Sequence, residues 1–429
     1  MRRSVVIGSG AREHALAWAL AKSSQVVVTP GNPGIAAHGI TCVDTPSTEL
    51  DADLFVIGPD QPVVDGLADE LRAQGKTVFG PGADGARLEG SKAYLKEFLA
   101  AANVPTAAYG VFDDEDEALA YLTVMSPPFV IKTDGLAAGK GVLVTSDLEE
   151  ATADVRDKLS GRSFGGAGST VVIEEGLDGP ECSIMVLCDG ANVATLVASQ
   201  DFKRLGDRDA GANTGGMGAY APMPDLHADT VADLMDTAVL PLVEELRQRG
   251  IDYRGVLYAG LMLTPEGPKV IEYNVRFGDP EAQVVLPLLA TDAAELFLAV
   301  ANGALEDAPA PAFTGDAAVC VVMASQGYPE HPRTGDAMEG LTPSGQSVAG
   351  VDGVTVFHAG TRRHSPDGPF YTAGGRVLGV TATAPTLAEA RDRAYAAAEP
   401  IEWEGMQMRH DIAASAAGAA PAVAGEGAG

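Results

Sequence analysis

Cysteine is scarce in this chain. Its 429 residues include only Cys42, Cys182, Cys188 and Cys320, scattered with none of the spacings that hold a metal. They read as small buried hydrophobes, which excludes a disulfide scaffold and a thiolate metal centre and points to a reducing compartment, the cytoplasm. No run of eighteen apolar residues occurs, so no membrane partner is expected. Met1-Arg2-Arg3 leads straight into a short strand and a glycine loop, and no signal peptide is expected. Positive charge is scarce too: 9 lysines and 20 arginines face 59 acids, for a net charge of −30. Such a chain repels nucleic acid, which excludes that partner class. The acid is spread along the whole length, and a diffuse acidic, lysine-poor surface predicts a salt-rich, halophilic cytoplasm in which ions screen the self-repulsion. Stability should then fall steeply on dialysis into low salt, and indifference to salt would refute the habitat. The length allows two to four domains, and no internal repeat is present.

Against this background one stretch stands out, Val270 to Gln283. Ile271, Tyr273, Val275 and Phe277 alternate with Glu272, Asn274 and Arg276, so a strand with its apolar set toward the core puts an acid, an amide and a guanidinium on one face. Carboxylate and amide oxygens suit Mg²⁺, and an arginine fork suits a phosphoryl group or a carboxylate. Gly278-Asp279-Pro280 then breaks the strand, and a helix is expected from Glu281. The preceding apolar run, Gly255 to Leu263, reads as a buried strand folded back onto Glu272 through Pro265-Glu266-Gly267.

Taken in order, the chain opens with a strand at Ser4 to Ile7, the loop Gly8-Ser9-Gly10 and a helix from Ala11 to Leu20. This reads as a phosphate-binding loop in a doubly wound domain. A nicotinamide site is disfavoured. Glu13 stands where the third glycine of that fingerprint belongs, and Thr29-Pro30-Gly31-Asn32 supplies no ribose-binding acid. Asp60 lies in a loop after the strand Leu54 to Ile57, where open α/β sheets bind ligands. A helix is expected from Ser91 to Ala102, with Lys92 at its start.

A new unit begins near Asn103. Lys132 sits on a strand among apolar neighbours, where an unpaired lysine is costly. Gly135 to Lys140 is only loosely similar to a Walker motif, but Gly139 and Lys140 still suit a loop over a triphosphate. Glu174 and Glu175 end a strand able to read an adenine edge, and Glu181 can reach a ribose hydroxyl. Ser199 to Pro222 is too long and glycine-rich for a plain connection, and reads as a ligand loop rather than a disordered lid. It carries Lys203, Asp207 and Asn213-Thr214-Gly215-Gly216. Thr230 to Arg249 reads as one amphipathic helix. Beyond the Ala/Pro-rich 304–314, three strands and a helix predict a small α+β unit, and Asp411 onward reads as a disordered Ala/Gly tail.

These motifs resemble, in order from Val5 to about Asp411, the phosphoribosylamine–glycine ligase family of the ATP-grasp superfamily. Arg276-Phe277-Gly278-Asp279-Pro280-Glu281-Ala282-Gln283 is similar to the family signature. Gly8 to Trp18, Leu88 to Lys92, Ile131 to Val142, Gln200 to Tyr220 and Val256 to Met262 are also similar. The resemblance implies an α/β and α+β multidomain fold: a doubly wound parallel-sheet domain at 1–103, an ATP-grasp domain at 104–303 with a mobile lid near 113–190, a small α+β domain at 304–412, and a tail at 413–429. It implies a monomer that joins glycine to 5-phosphoribosylamine at the expense of ATP, through glycyl phosphate, in purine synthesis. It assigns Mg²⁺ or Mn²⁺ to Glu272 and Asn274. Arg276 would act on the transferring phosphoryl group with Lys132 as the second catalytic cation. Lys92, Lys132, Gly139 and Lys140 would meet the phosphates, Glu174, Glu175 and Leu177 the adenine, and Glu181 the ribose. Gly8, Gly10, Asn32, Asp60, Lys203, Asp207, Asn213, Thr214, Gly215, Gly216 and Asp279 would surround phosphoribosylamine and glycine. Three departures are visible: Asp60 replaces the usual glutamate, Gly176 a common aromatic, and Ile184 another. A related ligase or carboxylase and a non-catalytic nucleotide-binding regulator are the alternatives. The regulator should lack Glu272, Asn274 or Lys132, and all three are present.

Overall fold

The structure, a computed structural model, describes residues 1–136, 141–161, 169–346 and 353–418. The predicted Gly139 and Lys140, and the tail beyond residue 418, lie outside them.

Short, largely apolar strands form a five-stranded parallel sheet in the order Thr41–Cys42, Ser24–Pro30, Arg2–Gly8, Leu54–Ile57, Val78–Phe79. The winding direction reverses between Arg2–Gly8 and Leu54–Ile57, so the Gly8–Gly10 and Gly58–Asp60 turns meet at the switch point. Gly8 has φ +129°, and a Cβ there would lie 2.5 Å from Glu13 Cγ. The helix Lys92–Ala101 follows, capped by Ser91, whose Oγ accepts from Tyr94 N at 3.1 Å.

Two four-stranded sheets come next. Tyr109–Phe112, Val171–Glu175, Phe129–Thr133 and Val142–Thr145 form one, with helices Glu115–Val124 and Leu148–Leu159 packed on it. Ala118, Leu122, Ile131, Val155 and Ile173 give this unit a core of its own. The second sheet has the order Val193–Thr195, Glu181–Asp189, Arg254–Thr264, Gly267–Asn274. The strand Glu181–Asp189 was expected inside the lid, but it pairs along its whole length with Arg254–Thr264. Local alternation marks a strand without naming its partner, and here the partner is about seventy residues away.

The segment 199–222 is likewise more than a loop. Gln200–Asp201 and Gly218–Ala221 are strands that join Ala317–Ala324, Arg376–Ala384 and Val354–His358 in one antiparallel sheet, while Arg204–Gly206 and Ala210–Asn213 form a small hairpin between them. The C-terminal unit is therefore stitched to the centre of the chain. Helix Leu387–Ala398 packs on its sheet. The single helix expected over 230–249 divides into Ala228–Leu234, a π-helical Met235–Val239 and Leu240–Gln248; Pro241, lacking an N–H, lies where the last begins. The tail also begins later than expected, because Ala414–Ala417 is a short helix with Ile412, Ala413 and Ala416 buried. Three apolar anchors among small residues suffice to dock it.

Phe79, Phe277 and Phe297 stack with ring centroids 4.4 to 6.1 Å apart and lock the turn after Gly267–Asn274 onto the N-terminal sheet. Burial of each contributes roughly 2–3 kcal/mol. A second seam joins the N- and C-terminal units. His14 Nε2 lies 2.7 Å from His38 Nδ1, and His14 Nδ1 accepts the His358 N–H at 2.9 Å. Burial holds His14 well below its ordinary value, lowers His38, and lowers His358 to about 4. Rings kept neutral when folded but free to charge when unfolded contribute stability that is complete above the unfolded value and lost as pH falls toward the folded one. The urea midpoint should therefore drop between about pH 6.5 and 5, above the carboxylate range. A flat midpoint there would contradict the linkage.

Candidate functional site

The floor is the hairpin of Arg254–Thr264 and Gly267–Asn274. Gly260 stands opposite Glu272 and Tyr258 opposite Asn274, with a register shift after Gly260. A Cβ at Gly260 would press to 3.2 Å from Glu272 Cγ, so glycine leaves the acid room. The strand stops at Asn274, not beyond Arg276 as expected, because the Val275 N–H leaves the ladder and donates to Glu89 Oε2 at 2.8 Å. Arg276 consequently reaches the same place from a turn. Tyr273, Val275 and Phe277 are buried as expected, whereas Ile271 is half-buried and lines a cavity.

Cations ring this floor. Lys132 Nζ lies 2.9 Å from Glu174 and donates to Ile271 O at 3.2 Å, and Lys92 Nζ donates to Gly135 O at 3.0 Å. Lys203 lies 3.3 Å from Glu272 and 3.4 Å from Glu181. Arg276 pairs with Glu89 at 2.8 Å and donates to Asn274 Oδ1 at 3.2 Å, while its buried Nε has no acceptor among the described residues. Lys203, opposed by burial and aided by Lys132, Arg276 and Lys92, pulls the Glu272 carboxyl down to about 2. Burial alone would lower Lys203, but Glu272, Glu181 and Asp201 raise it well above the ordinary range. Burial lowers Lys92, and burial pushes Asp201 well up.

Two cavities meet at this floor. The first, of about 480 Å³, lies between the two four-stranded sheets and takes in Lys92, Lys132, Glu174, Glu175, Leu177, Glu181 and Glu272. The second, of about 540 Å³, opens toward the N- and C-terminal units and takes in Asp60, Asn213, Thr214, Gly215, Asn274, Arg276 and Asp279. Lys92, Asp201, Lys203 and Glu272 line both. An oblong slot with a paired acid and amide at the junction, lysines on one side and arginines on the other, can hold a polyphosphate and present its end to a second ligand. Glu272 and Asn274 stand side by side at the junction, with Asn274 Nδ2 3.5 Å from Glu272 Oε1, and each carries oxygen of the kind a divalent cation takes. A cluster of three or more His, Cys, Asp or Glu side chains fit for a metal is absent among the described residues. That donor set fits Mg²⁺, which commonly takes one or two carboxylates and completes its shell with phosphates and water.

Other expected residues are placed differently. The Gly10 N–H donates to Glu13 Oε2 at 2.6 Å, so the loop read as phosphate-binding is filled by the chain's own carboxylate. Asn32 caps a helix through Ile35 N and donates to Ser9 O and His358 O, each at 2.8 Å. Gly8 stays at the switch point, and Gly216 turns the chain with φ +112°. Asp207 points away from both cavities and accepts the His410 N–H at 2.7 Å. Glu175 turns its carboxylate to Ala108 N and Lys269, each at 3.0 Å.

Several lining residues were given no role from sequence: Arg12, Glu89, Lys96, Asp201, Glu281, Tyr328 and Arg376. Glu89 carried a signal, standing in the Leu88 to Lys92 stretch that resembles the family. Arg376 carried another, as a scarce cation after Gly374-Gly375.

Comparison with known proteins accounts for this architecture. The N domain, the ATP-grasp (A) domain and the C domain of phosphoribosylglycinamide synthetase match residues 2–89, 90–282 and 318–415. A phosphoribosylamine–glycine ligase of Caulobacter vibrioides is 46% identical, over 95% of this chain and 97% of the relative. That of Streptomyces coelicolor is 47% identical, over 97% and 99%. The crystal structure of the Thermotoga maritima phosphoribosylamine–glycine ligase covers 96% of this chain and 100% of its own, with a TM-score of 0.82 and 36% identity. A biotin carboxylase domain of Hydrogenobacter thermophilus shares the fold at a TM-score of 0.70 and 19% identity. The paired cavities, the domain order and an identity of 46–47% over nearly the full length converge, and the chain belongs to the phosphoribosylamine–glycine ligase family.

Proposed function

We propose that this chain joins glycine to 5-phosphoribosylamine, converting ATP to ADP and phosphate and releasing glycinamide ribonucleotide. The observation that carries the reading is the junction itself. Glu272, Asn274 and Arg276 stand where a lysine-lined cavity opens into an arginine-lined one.

The nucleotide lies in the first cavity. Leu177 and the strand end at Glu174–Glu175 border the adenine, Glu181 faces the ribose, and Lys92 and Lys132 meet the phosphates. The unit with its own core, from Tyr109 to Glu175, forms the roof and acts as the lid. Glu272 and Asn274 would hold Mg²⁺ or Mn²⁺, which when bound neutralises charge on the triphosphate. A glycine carboxylate oxygen attacks the γ-phosphorus, and the bond to the ADP oxygen breaks. The phosphoribosylamine nitrogen then attacks the acyl carbon of glycyl phosphate, loses a proton, and inorganic phosphate departs. Arg276 meets the phosphoryl group in flight. Its charge is secure, since Glu89 and neighbouring acids raise its pKa against the pull of burial. Catalysis by this set of residues is positioning and charge neutralisation, with no covalent enzyme intermediate. The roof keeps water from the acyl phosphate.

ADP release, measured with ATP, glycine and freshly generated phosphoribosylamine and with each omitted in turn, tests the reading. Release that needs both substrates and yields glycinamide ribonucleotide is expected. Release indifferent to phosphoribosylamine, or none in any combination, would overturn it.

A further inference from the structure

Arg376 opens the strand Arg376–Ala384 of the C-terminal sheet, yet its guanidinium lies in the second cavity, against the central domain. Nη1 donates to Gly215 O, to Gly216 O at 3.3 Å and to Asp279 O at 2.6 Å, and Nη2 donates to Asp279 Oδ2 at 2.8 Å. The other Asp279 oxygen accepts from Gln283 Nε2 at 2.7 Å, so the carboxylate is held on both sides. From the same C-terminal unit, Tyr328 Oη accepts the Gly215 N–H at 3.0 Å. A Cβ on Gly215 would lie 3.1 Å from the guanidinium carbon, so glycine lets the backbone and the arginine plane meet without a shift.

The far side of this loop is tied to the floor. Thr214 donates to Lys203 O through its N–H at 2.8 Å and through its hydroxyl at 2.7 Å. Lys203 Nζ in turn lies 3.3 Å from Glu272. One chain of contacts thus runs from Arg376 through Gly215 and Thr214 to Lys203 and Glu272. A fork spent on three carbonyls and a carboxylate holds backbone in place. Neither Arg376 nor Tyr328 lines the nucleotide cavity.

We propose that Arg376 and Tyr328 are positioning residues for the amine acceptor: they clamp the Thr214–Gly216 loop and Asp279, and so let the C-terminal unit set where the acceptor lies against the activated glycine. The inference rests on the function proposed above. Loosening the clamp removes no contact of Lys92, Lys132 or Glu174 in the nucleotide cavity and frees one wall of the acceptor cavity. The effect belongs in the KM for the amine, and a purely structural role would not single out that constant.

The test uses Arg376→Met, Arg376→Lys and Tyr328→Phe in the full chain, with kcat and all three KM values measured. Arg376→Met should raise the amine KM tenfold or more with the ATP KM within twofold. Arg376→Lys should recover part of this, because an ammonium reaches Asp279 but cannot span both loop carbonyls. Tyr328→Phe should raise the same constant by a smaller factor. An amine KM within twofold of wild type in Arg376→Met, or equal rises in all three KM values, would overturn the proposal. Should Arg376→Met fail to fold, an unchanged amine KM in Tyr328→Phe would overturn it. A wild type that forms no glycinamide ribonucleotide refutes the functional reading instead, and that is read before any variant is compared.

Discussion

Glu272→Gln abolishes ligation while the thermal transition stays within about 3 °C of wild type. The carboxylate is surrounded by Lys203 at 3.3 Å, the Asn274 amide at 3.5 Å and the further charges of Lys132, Arg276 and Lys92. Lys203 leads in holding its carboxyl down to about 2, so it is ionised at every pH at which the chain works. Its opposite residue is glycine and its side chain is 41% exposed, so the variant disturbs little packing. Glutamine keeps the volume and one oxygen but loses the charge that a divalent cation would take here. Lys203 retains Glu181 at 3.4 Å, so no buried ammonium is stranded and the fold has no reason to suffer. The loss in turnover should be on the order of a thousandfold or more, about 4 kcal/mol of transition-state stabilisation. Product formation and the melting curve are measured on the same preparation. Turnover near wild type would remove Glu272 from the site.

Which features could be read from sequence follows from how far their physical cause reaches. Alternation along Gly267–Asn274 is a local, period-two signal, and it placed Glu272 and Asn274 together correctly. Arg276 was legible as a neighbour of Asn274 but not in its backbone, because the acceptor that ends the ladder at Val275, Glu89, lies 186 residues before it. Glu174 and Glu175 read alike as adjacent acids. Successive strand residues face opposite ways, so one meets Lys96 and Lys132 while the other meets Lys269 and Ala108. Lys96 itself was invisible, being one lysine on a helix whose burial depends on a sheet formed later in the chain. Gly8-Ser9-Gly10 shows the opposite failure. Its pattern fits an anion loop, but the anion is Glu13, three residues on. Arg376 and Tyr328 reach Gly215 across 161 and 113 residues, and only the sheet shared by Gly218–Ala221 and Ala317–Ala324 brings them there.

The buried triad of Lys96, Glu174 and Lys132 gives the second large expected effect. Glu174 Oε1 lies 3.1 Å from Lys96 Nζ and 2.9 Å from Lys132 Nζ, and the three side chains are 4%, 2% and 8% exposed respectively. Lys96 also donates to Thr106 Oγ1 at 2.8 Å, and that hydroxyl donates to Val270 O at 2.7 Å, so the ammonium cannot swing out to water without breaking the strut between helix and hairpin. Burial already lowers Lys96 to about 8, with Glu174 resisting and Lys132 adding to the fall. Glu174→Gln deletes the leading charge that opposes this, Glu175 contributing less, and leaves two ammoniums facing each other. Breaking a buried pair from one side costs about 3–5 kcal/mol. An escape route limits the loss: Lys96, already lowered to about 8 by burial, can shed its proton in the variant, and does so more readily at pH 9 than at pH 7. The sign follows from proton counting. In the variant the folded chain binds fewer protons than the unfolded one, so its stability climbs with pH through this range. Urea denaturation of wild type and variant at pH 7 and pH 9 should show a deficit of about 3–5 kcal/mol at the lower pH, shrinking at the higher. A deficit under about 1 kcal/mol at pH 7, or one that grows with pH, would mean that Glu174 does not neutralise the two lysines in the folded chain.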